Sequence, residues 1–262
     1  MSFRSSDAEL NSFLVENKLE GKLGYVYLND IALRYLMTGN PEKETVFLFI
    51  HGAPGSLEMF NVYLKNADLL EQGIVVSIDR PGYGYANYGE AVVSIKAQAE
   101  IIAAFIKSTF PKKKVIVIGH SFGAPIAAYT GYLASDEVKA IVIASGAVDP
   151  ELEKFTFLAD FTNSTVIRSI ASKETQVASL EKLAHKDELL QMKNIWSKLD
   201  QEVIAMHGDR DQIVPFDNVQ FLKENVKSDK LTIDTLHDNG HMFVLRKNII
   251  VDRLLRIDKK LD

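Results

Sequence analysis

Four short segments that are almost wholly apolar, residues 45–50, 74–78, 115–118 and 138–143, alternate with amphipathic stretches near 57–70, 92–108 and 122–134. A strand without a polar face has no side to turn to water, so both of its faces must be covered. Helices between such strands supply that cover, and the arrangement that satisfies both conditions is a parallel sheet sandwiched by helices. The alternation therefore predicts an α/β fold.

Ahead of it, residues 23–28 and 31–37 read as two strands joined at Asn29-Asp30, a dipeptide that tolerates positive φ and makes a tight hairpin. Ser6 is placed to cap a short helix with Leu10, Phe13 and Leu14 on one face, which packs the leading residues onto the body. Residues 149–198 break the rhythm. Phe155, Phe157, Leu158 and Phe161, then Val166, Ile167 and Ile170, then Val177, Leu180 and Leu183 follow helical spacing, with no strand pattern among them. The sheet pattern resumes at 203–206 and 231–235, with helices near 216–226 and 247–258. We expect a core of residues 1–148 and 199–262 interrupted by a helical insertion over 149–198.

Lys and Arg total 30 against 35 Asp and Glu, a formal charge of -5. No basic stripe is available to neutralise a phosphate backbone, so nucleic acid is not an expected partner. The absence of cysteine removes disulfides, thiolate nucleophiles and thiolate-ligated zinc. Arg4, Asp7, Glu9, Glu16 and Lys18 interrupt the leading residues, which leaves no apolar block of the signal-peptide kind. The apolar runs at 46–50 and 115–118 fall far short of a membrane span. These features lead us to expect a cytoplasmic protein whose partner is a small molecule, without a membrane or nucleic-acid partner. The sequence shows no readable oligomer face.

Gly119-His120-Ser121-Phe122-Gly123 follows the apolar segment at 115–118 directly and opens a helical stretch. With 17 serines and 15 glycines, chance supplies about 0.06 copies of Gly-x-Ser-x-Gly in this chain, so the strand-to-helix setting carries the argument. A sharp turn there crowds the backbone, and a Cβ two residues before or after the serine would collide. The same turn lifts the Ser121 hydroxyl above the sheet edge.

A hydroxyl is a poor nucleophile until a base takes its proton, and that base needs an acid to fix its tautomer. Of the six histidines, His51 and His120 lie inside loop motifs, His185 in the insertion and His207 at a strand end; His237 and His241 follow the last strand. His241 is the better base, because Asp238-Asn239-Gly240-His241 puts it on a turn free to lean towards the elbow. His237 lies close to the strand end and reads as a rim or buried polar residue. The acid belongs on the loop after the preceding strand, where Asp209 and Asp211 both stand. Asp211 is preferred, since Asp209 is suited to capping the turn or pairing with Arg210; Asp149, at the entrance of the insertion, is a third candidate. A tetrahedral intermediate also needs main-chain N–H groups converging near Ser121. His51-Gly52-Ala53-Pro54-Gly55 follows the strand at 45–50, and its glycine bend and stiff Pro54 are suited to aiming the Ala53 N–H beside that of Phe122.

With these motifs in this order the chain resembles the α/β-hydrolase superfamily, in particular the branch with a His-Gly-x-Pro-Gly loop, a Gly-x-Ser-x-Gly elbow and a helical cap. Asp79-Arg80-Pro81-Gly82-Tyr83-Gly84, the Gly-x-x-Asp of Gly208 and Asp211, and Gly240-His241 fall in matching order, so the likeness spans nearly the whole chain. The resemblance implies an eight-stranded, mostly parallel sheet with a small helical cap inserted after strand six. It also implies a triad of Ser121, His241 and Asp211, an oxyanion hole at Ala53 and Phe122, and no cofactor or metal.

Haloalkane dehalogenases and epoxide hydrolases of this branch place an aspartate where Ser121 stands, and epoxide opening uses cap tyrosines, which residues 149–198 lack. The expected activity is an esterase-like serine hydrolase working through an acyl-enzyme on a small, fairly apolar ester or related acyl substrate. Phe155, Phe157, Phe161 and Trp196 are the candidate substrate contacts, and Arg80 and Arg168 read either as single carboxylate or phosphate clamps or as solvated or ion-paired surface residues. Cleavage of a carbon-carbon bond, an aminopeptidase reaction and perhydrolysis use the same triad. A hydrolase-fold ligand-binding protein with negligible turnover is the alternative outside catalysis.

Overall fold

Ser6 Oγ accepts the Glu9 N–H at 3.2 Å while the Glu9 carboxylate receives the Ser6 N–H at 2.7 Å, a reciprocal capping box that starts α1 (Asp7–Glu16). Leu10 and Leu14 on this helix are buried in the computed structural model, which describes residues 4–153 and 171–261. β1 (Gly21–Leu28) and β2 (Ile31–Thr38) then pair antiparallel across a turn in which Asn29 and Asp30 have φ of 49° and 65°. Two successive positive φ values match the twist of a two-residue hairpin, which is why Asn-Asp serves there.

β3 (Thr45–Ile50) and β4 (Gly73–Asp79) run parallel and are buried along their whole length. The link between them, expected as one helix, is a 3-10 turn at Leu57–Phe60 followed by α2 (Asn61–Leu64) and α3 (Ala67–Gln72). Asn66 makes the break: its side chain accepts the Leu69 N–H and caps a new helix where apolar spacing alone reads a continuous one. α4 (Ile95–Thr109), β5 (Lys114–His120), α5 (Gly123–Leu133) and β6 (Val138–Ala144) continue the alternation. The later described elements are α6 (Lys173–Met192), a 3-10 turn at Lys193–Lys198, β7 (Glu202–Gly208), α7 (Asn218–Asn225), β8 (Leu231–Leu236) and α8 (Lys247–Leu261).

The eight strands lie in the order β1-β2-β4-β3-β5-β6-β7-β8, antiparallel at β1-β2 and β2-β4 and parallel elsewhere. Val46, Leu48 and Ile50 join Ile102 and Phe105 of α4 in one core layer, and Phe47 and Phe49 join Leu10, Leu64 and Leu254 in the other. The sheet is thus covered on both faces, as its apolar strands require. Among the described residues no helix is long and apolar enough to cross a membrane.

Strand order also fixes where a site can form. β4 lies on one side of β3 and β5 on the other, so the chain reverses its direction of travel there, and the crevice beyond the carboxyl ends of β3 and β5 is the switch point where open α/β sheets bind ligands. Ile50 pairs with Gly119 across this junction, which brings the loops beginning at His51 and Ser121 side by side.

Docking of α1 is directly testable. Leu10→Ala, at a side chain 1% exposed, should lower the unfolding free energy by about 2–5 kcal/mol. Val15→Ala, at a side chain 76% exposed on the same helix, should change it by less than about 0.5 kcal/mol. Urea denaturation of the two variants checks the contrast, and equal effects would contradict the docking.

Candidate active site

β5 delivers Ser121 to the crevice in a left-handed conformation, φ 55°, where an ordinary residue costs of order 1–3 kcal/mol. Its N–H donates to Ala144 O at 3.0 Å and its carbonyl accepts the Ala124 N–H at 3.1 Å, which holds the turn between β6 and α5. A Cβ on Gly119 would stand 2.7 Å from Ala124 Cα, and one on Gly123 2.6 Å from Ile50 O. Glycine is needed at both positions for close backbone approach.

His241 follows β8 and opens a 3-10 turn at His241–Leu245. Its Nδ1 donates to Asp211 Oδ2 at 2.8 Å, and the Asp211 side chain is shielded from solvent. The second carboxylate oxygen accepts the N–H groups of Ile213 and Val214, both at 2.9 Å. Burial works to raise the Asp211 pKa, but hydrogen bonds from His207 and His241 outweigh it and hold the carboxyl far below the usual carboxylate range. An ionised carboxylate only accepts, so the His241 Nδ1 proton is fixed and the lone pair belongs to Nε2. His120 supports the same residue from below: its Nε2 donates to His241 O at 3.1 Å, and burial, then the neighbouring His241, lower its pKa to about 3, so it stays neutral.

The loop after β3 is held by Arg80, whose side chain is fully buried. Arg80 Nε donates to His51 O at 2.9 Å and Nη2 to Gly52 O at 3.0 Å. The Arg80 main-chain N–H donates to His51 Nε2 at 3.1 Å, and His51 Nδ1 donates to Gly52 O at 2.7 Å. Burial, then the Arg80 charge, push the His51 pKa well below its ordinary value and keep this tautomer neutral. In a trans peptide the N–H lies anti to the C=O. With the Gly52 carbonyl turned to Arg80, the Ala53 N–H points away from it. Neither the Ala53 nor the Phe122 N–H donates to an acceptor among the described residues.

Arg80 is in turn bound by Glu181 of α6, through Nη1–Oε1 at 2.6 Å and Nη2–Oε2 at 3.1 Å. Tyr83 Oη and Gln98 Nε2 also donate to that carboxylate, at 2.6 and 2.9 Å. The arginine read from sequence as a clamp or a surface residue is therefore consumed by a buried ion pair that ties α6 to the His51 loop.

Two cavities share Ser121 and Ala53. One of about 470 Å³ adds His120, His241, Met59, Met242 and Leu245; the other, of about 260 Å³, adds Phe122, Leu152, Ala178, Lys182, His185 and Val214. The sequence-predicted residues Ser121, His241, Ala53 and Phe122 are thus brought together, with Asp211 bonded behind His241. His237 instead forms an outlying pair with Asp209 at 2.9 Å and is 82% exposed, while Arg210 pairs with Asp238. Asp149 accepts the Glu151 N–H at 2.9 Å and caps a turn. Trp196 is buried edge-on against Phe221, with ring centroids 6.0 Å apart, and lines neither cavity. Phe155, Phe157, Phe161 and Arg168 lie outside the described residues. Among the described residues no group of three or more His, Asp or Glu side chains is arranged to hold a metal ion.

A sequence family described as the alpha/beta hydrolase fold matches residues 45–181, just over half of the chain. The chain belongs to the α/β-hydrolase fold family and is a hydrolase of this fold. Solved structures similar to it include a putative lipase from Acinetobacter baumannii AYE, 18% identical over 99% of this chain and 96% of that one, with a TM-score of 0.69. An esterase from Exiguobacterium antarcticum is 20% identical over 90% and 98%, with a TM-score of 0.71. The 2-hydroxy-6-oxo-6-phenylhexa-2,4-dienoate hydrolase of Rhodococcus sp. strain RHA1 is 20% identical over 92% and 99%, with a TM-score of 0.63. At these identities the likeness is one of fold.

Two outcomes follow from the buried charges. Because the Asp211 carboxyl is depressed in the fold, its contribution to stability is present above its ordinary value of 3.8 and is lost as pH falls towards the folded value. Asp211→Asn should therefore be most destabilising at neutral pH, and its gap to the parent protein should narrow below about pH 4, read from melting temperatures across pH. A constant gap would contradict this. Glu181→Leu leaves the Arg80 guanidinium buried without its partner and should cost about 3–5 kcal/mol in urea denaturation; a loss under about 1 kcal/mol would show that the pair is dispensable.

Proposed function

We propose that this chain is a serine hydrolase that cleaves a small, fairly apolar ester or related acyl compound through an acyl-enzyme. The observation that carries the reading is the meeting of a left-handed serine, a histidine bonded to a shielded carboxylate, and two unengaged main-chain N–H groups around one crevice. Separately each feature has a structural use. Together they answer each need of acyl transfer.

In this reading His241 Nε2 takes the Ser121 proton as Oγ attacks the acyl carbonyl, and Asp211 stabilises the imidazolium without taking the proton itself. The carbonyl oxygen becomes an oxyanion and accepts from the Ala53 and Phe122 N–H groups. Collapse breaks the bond to the alcohol, which leaves with the proton held by His241. Water then gives a proton to His241 and attacks the acyl-serine; the second collapse releases the acid and returns the proton to Ser121.

The two cavities that meet at Ser121 divide the substrate. The one lined by His241, with Met59, Met242 and Leu245, suits the alcohol and then the attacking water, which both exchange protons with the imidazole. The one lined by Phe122, with Leu152, Ala178 and Val214, suits the acyl group. α6 contributes Ala178, Lys182 and His185 to that wall, which supports reading 149–198 as a cap over the core.

Ser121→Ala should lower kcat/KM for p-nitrophenyl acetate and butyrate by about 10³-fold or more while the melting temperature is kept, and His241→Ala should lower it as far in protein that is still folded at the assay temperature. Hydrolysis by Ser121→Ala at the parent rate would overturn the proposal.

A further inference from the structure

The acyl-side cavity holds three charged or titratable side chains that the steps above do not use. Glu153 pairs with Lys182 Nζ and stands 3.2 Å from His185 Nδ1. Lys182 and His185 are three residues apart on α6, hence on one face of it, and both line the cavity with Ser121. The His185 ring stacks on Phe122 with centroids 4.3 Å apart, one residue from the proposed nucleophile.

Hydrogen-bonding capacity identifies what is unspent. Burial works to raise the Glu153 pKa, but the hydrogen bond from His185 and the charge of Lys182 outweigh it and hold the carboxyl below its usual range. Being ionised, Glu153 only accepts, so His185 Nδ1 carries a proton and donates to it. That leaves His185 Nε2, on a side chain 1% exposed and without a partner among the described residues. Buried polar atoms are rarely left unpaired, and the residue that carries this one lines the cavity. Lys182 spends one donor on Glu153 and has two more. Asn218, by contrast, is fully used: its Oδ1 accepts from the Val148 and Asp149 N–H groups and its Nδ2 donates to Pro215 O.

Resting on the serine-hydrolase reading for the placement of substrate, we propose that His185 and Lys182, held by Glu153, form a recognition subsite for a hydroxyl on the acyl group, so that hydroxyacyl esters are the preferred substrates. A hydroxyl matches the unspent groups in both directions, its proton donated to Nε2 and its oxygen accepting from the ammonium. A plain hydrocarbon chain leaves both unpaired in a site it has dried. A carboxylate brings no proton for Nε2 and stands against Glu153.

Binding and turnover separate this proposal from the one it rests on. Methyl hexanoate and methyl 3-hydroxy- and 6-hydroxyhexanoate are titrated calorimetrically into full-length Ser121→Ala, and their hydrolysis by the parent protein is followed by acid release. At least one hydroxy ester should bind about tenfold or more tighter than methyl hexanoate. Adding His185→Phe, which keeps the stack on Phe122, or Lys182→Met should bring the ratio within about twofold in protein that circular dichroism shows to be folded. Equal binding of all three esters, or a preference that survives both substitutions, overturns the subsite. Ser121-dependent hydrolysis without a hydroxyl preference overturns the subsite and leaves the hydrolase reading standing. A preference in binding with no Ser121-dependent hydrolysis supports the subsite and overturns the hydrolase reading.

Discussion

A serine at φ 55° sits in a region that costs an ordinary residue of order 1–3 kcal/mol, and it stays there because β5 and α5 leave the chain no other path. The strand must end at His120 to keep its pairing with β6, and α5 must begin at Gly123 to press its first turn against Ile50. Only Ser121 and Phe122 lie between them, and of the two it is Ser121 that takes the left-handed conformation. Each other element of the site is placed relative to that side chain by the sheet: the His51 loop because β3 neighbours β5, and Asp211 and His241 because β7 and β8 end on the same edge.

A second constraint is the buried guanidinium of Arg80. It binds two successive carbonyls of the His51 loop and is neutralised by a carboxylate from α6. A buried ion pair is a poor source of net stability, since desolvation opposes the attraction, but removing one partner strands the other. Its value here is orientational. By fixing the Gly52 carbonyl it fixes the plane of the next amide, and through Glu181 it ties α6 to the same loop.

Much of this was legible in the sequence, for identifiable reasons. Apolar strands such as 45–50 leave no choice but a doubly covered sheet, and Asn29-Asp30 carries its turn geometry in its own chemistry. Ser121, Asp211 and His241 could be picked out because each stands at a fixed offset from a strand end. The failures are equally physical. Asn66 divides the link between β3 and β4 because a side-chain cap competes with apolar periodicity. The Arg80–Glu181 pair spans 101 positions, and an acidic residue on a helix reads as solvated until its partner is placed. Trp196 read as a pocket wall because an aromatic in a helical stretch looks the same whether it faces ligand or core; packing against Phe221 settles which.

The central claim is that main-chain donors at Ala53 and Phe122 receive the charge that develops when Ser121 attacks. The most direct measurement is a crystal structure of the protein after reaction with an alkyl fluorophosphonate, whose phosphonyl oxygen mimics the oxyanion. The account predicts a single adduct on Ser121 Oγ with that oxygen about 2.7–3.1 Å from both N–H groups. An adduct elsewhere, or one on Ser121 whose oxygen faces away from both amides, would contradict it.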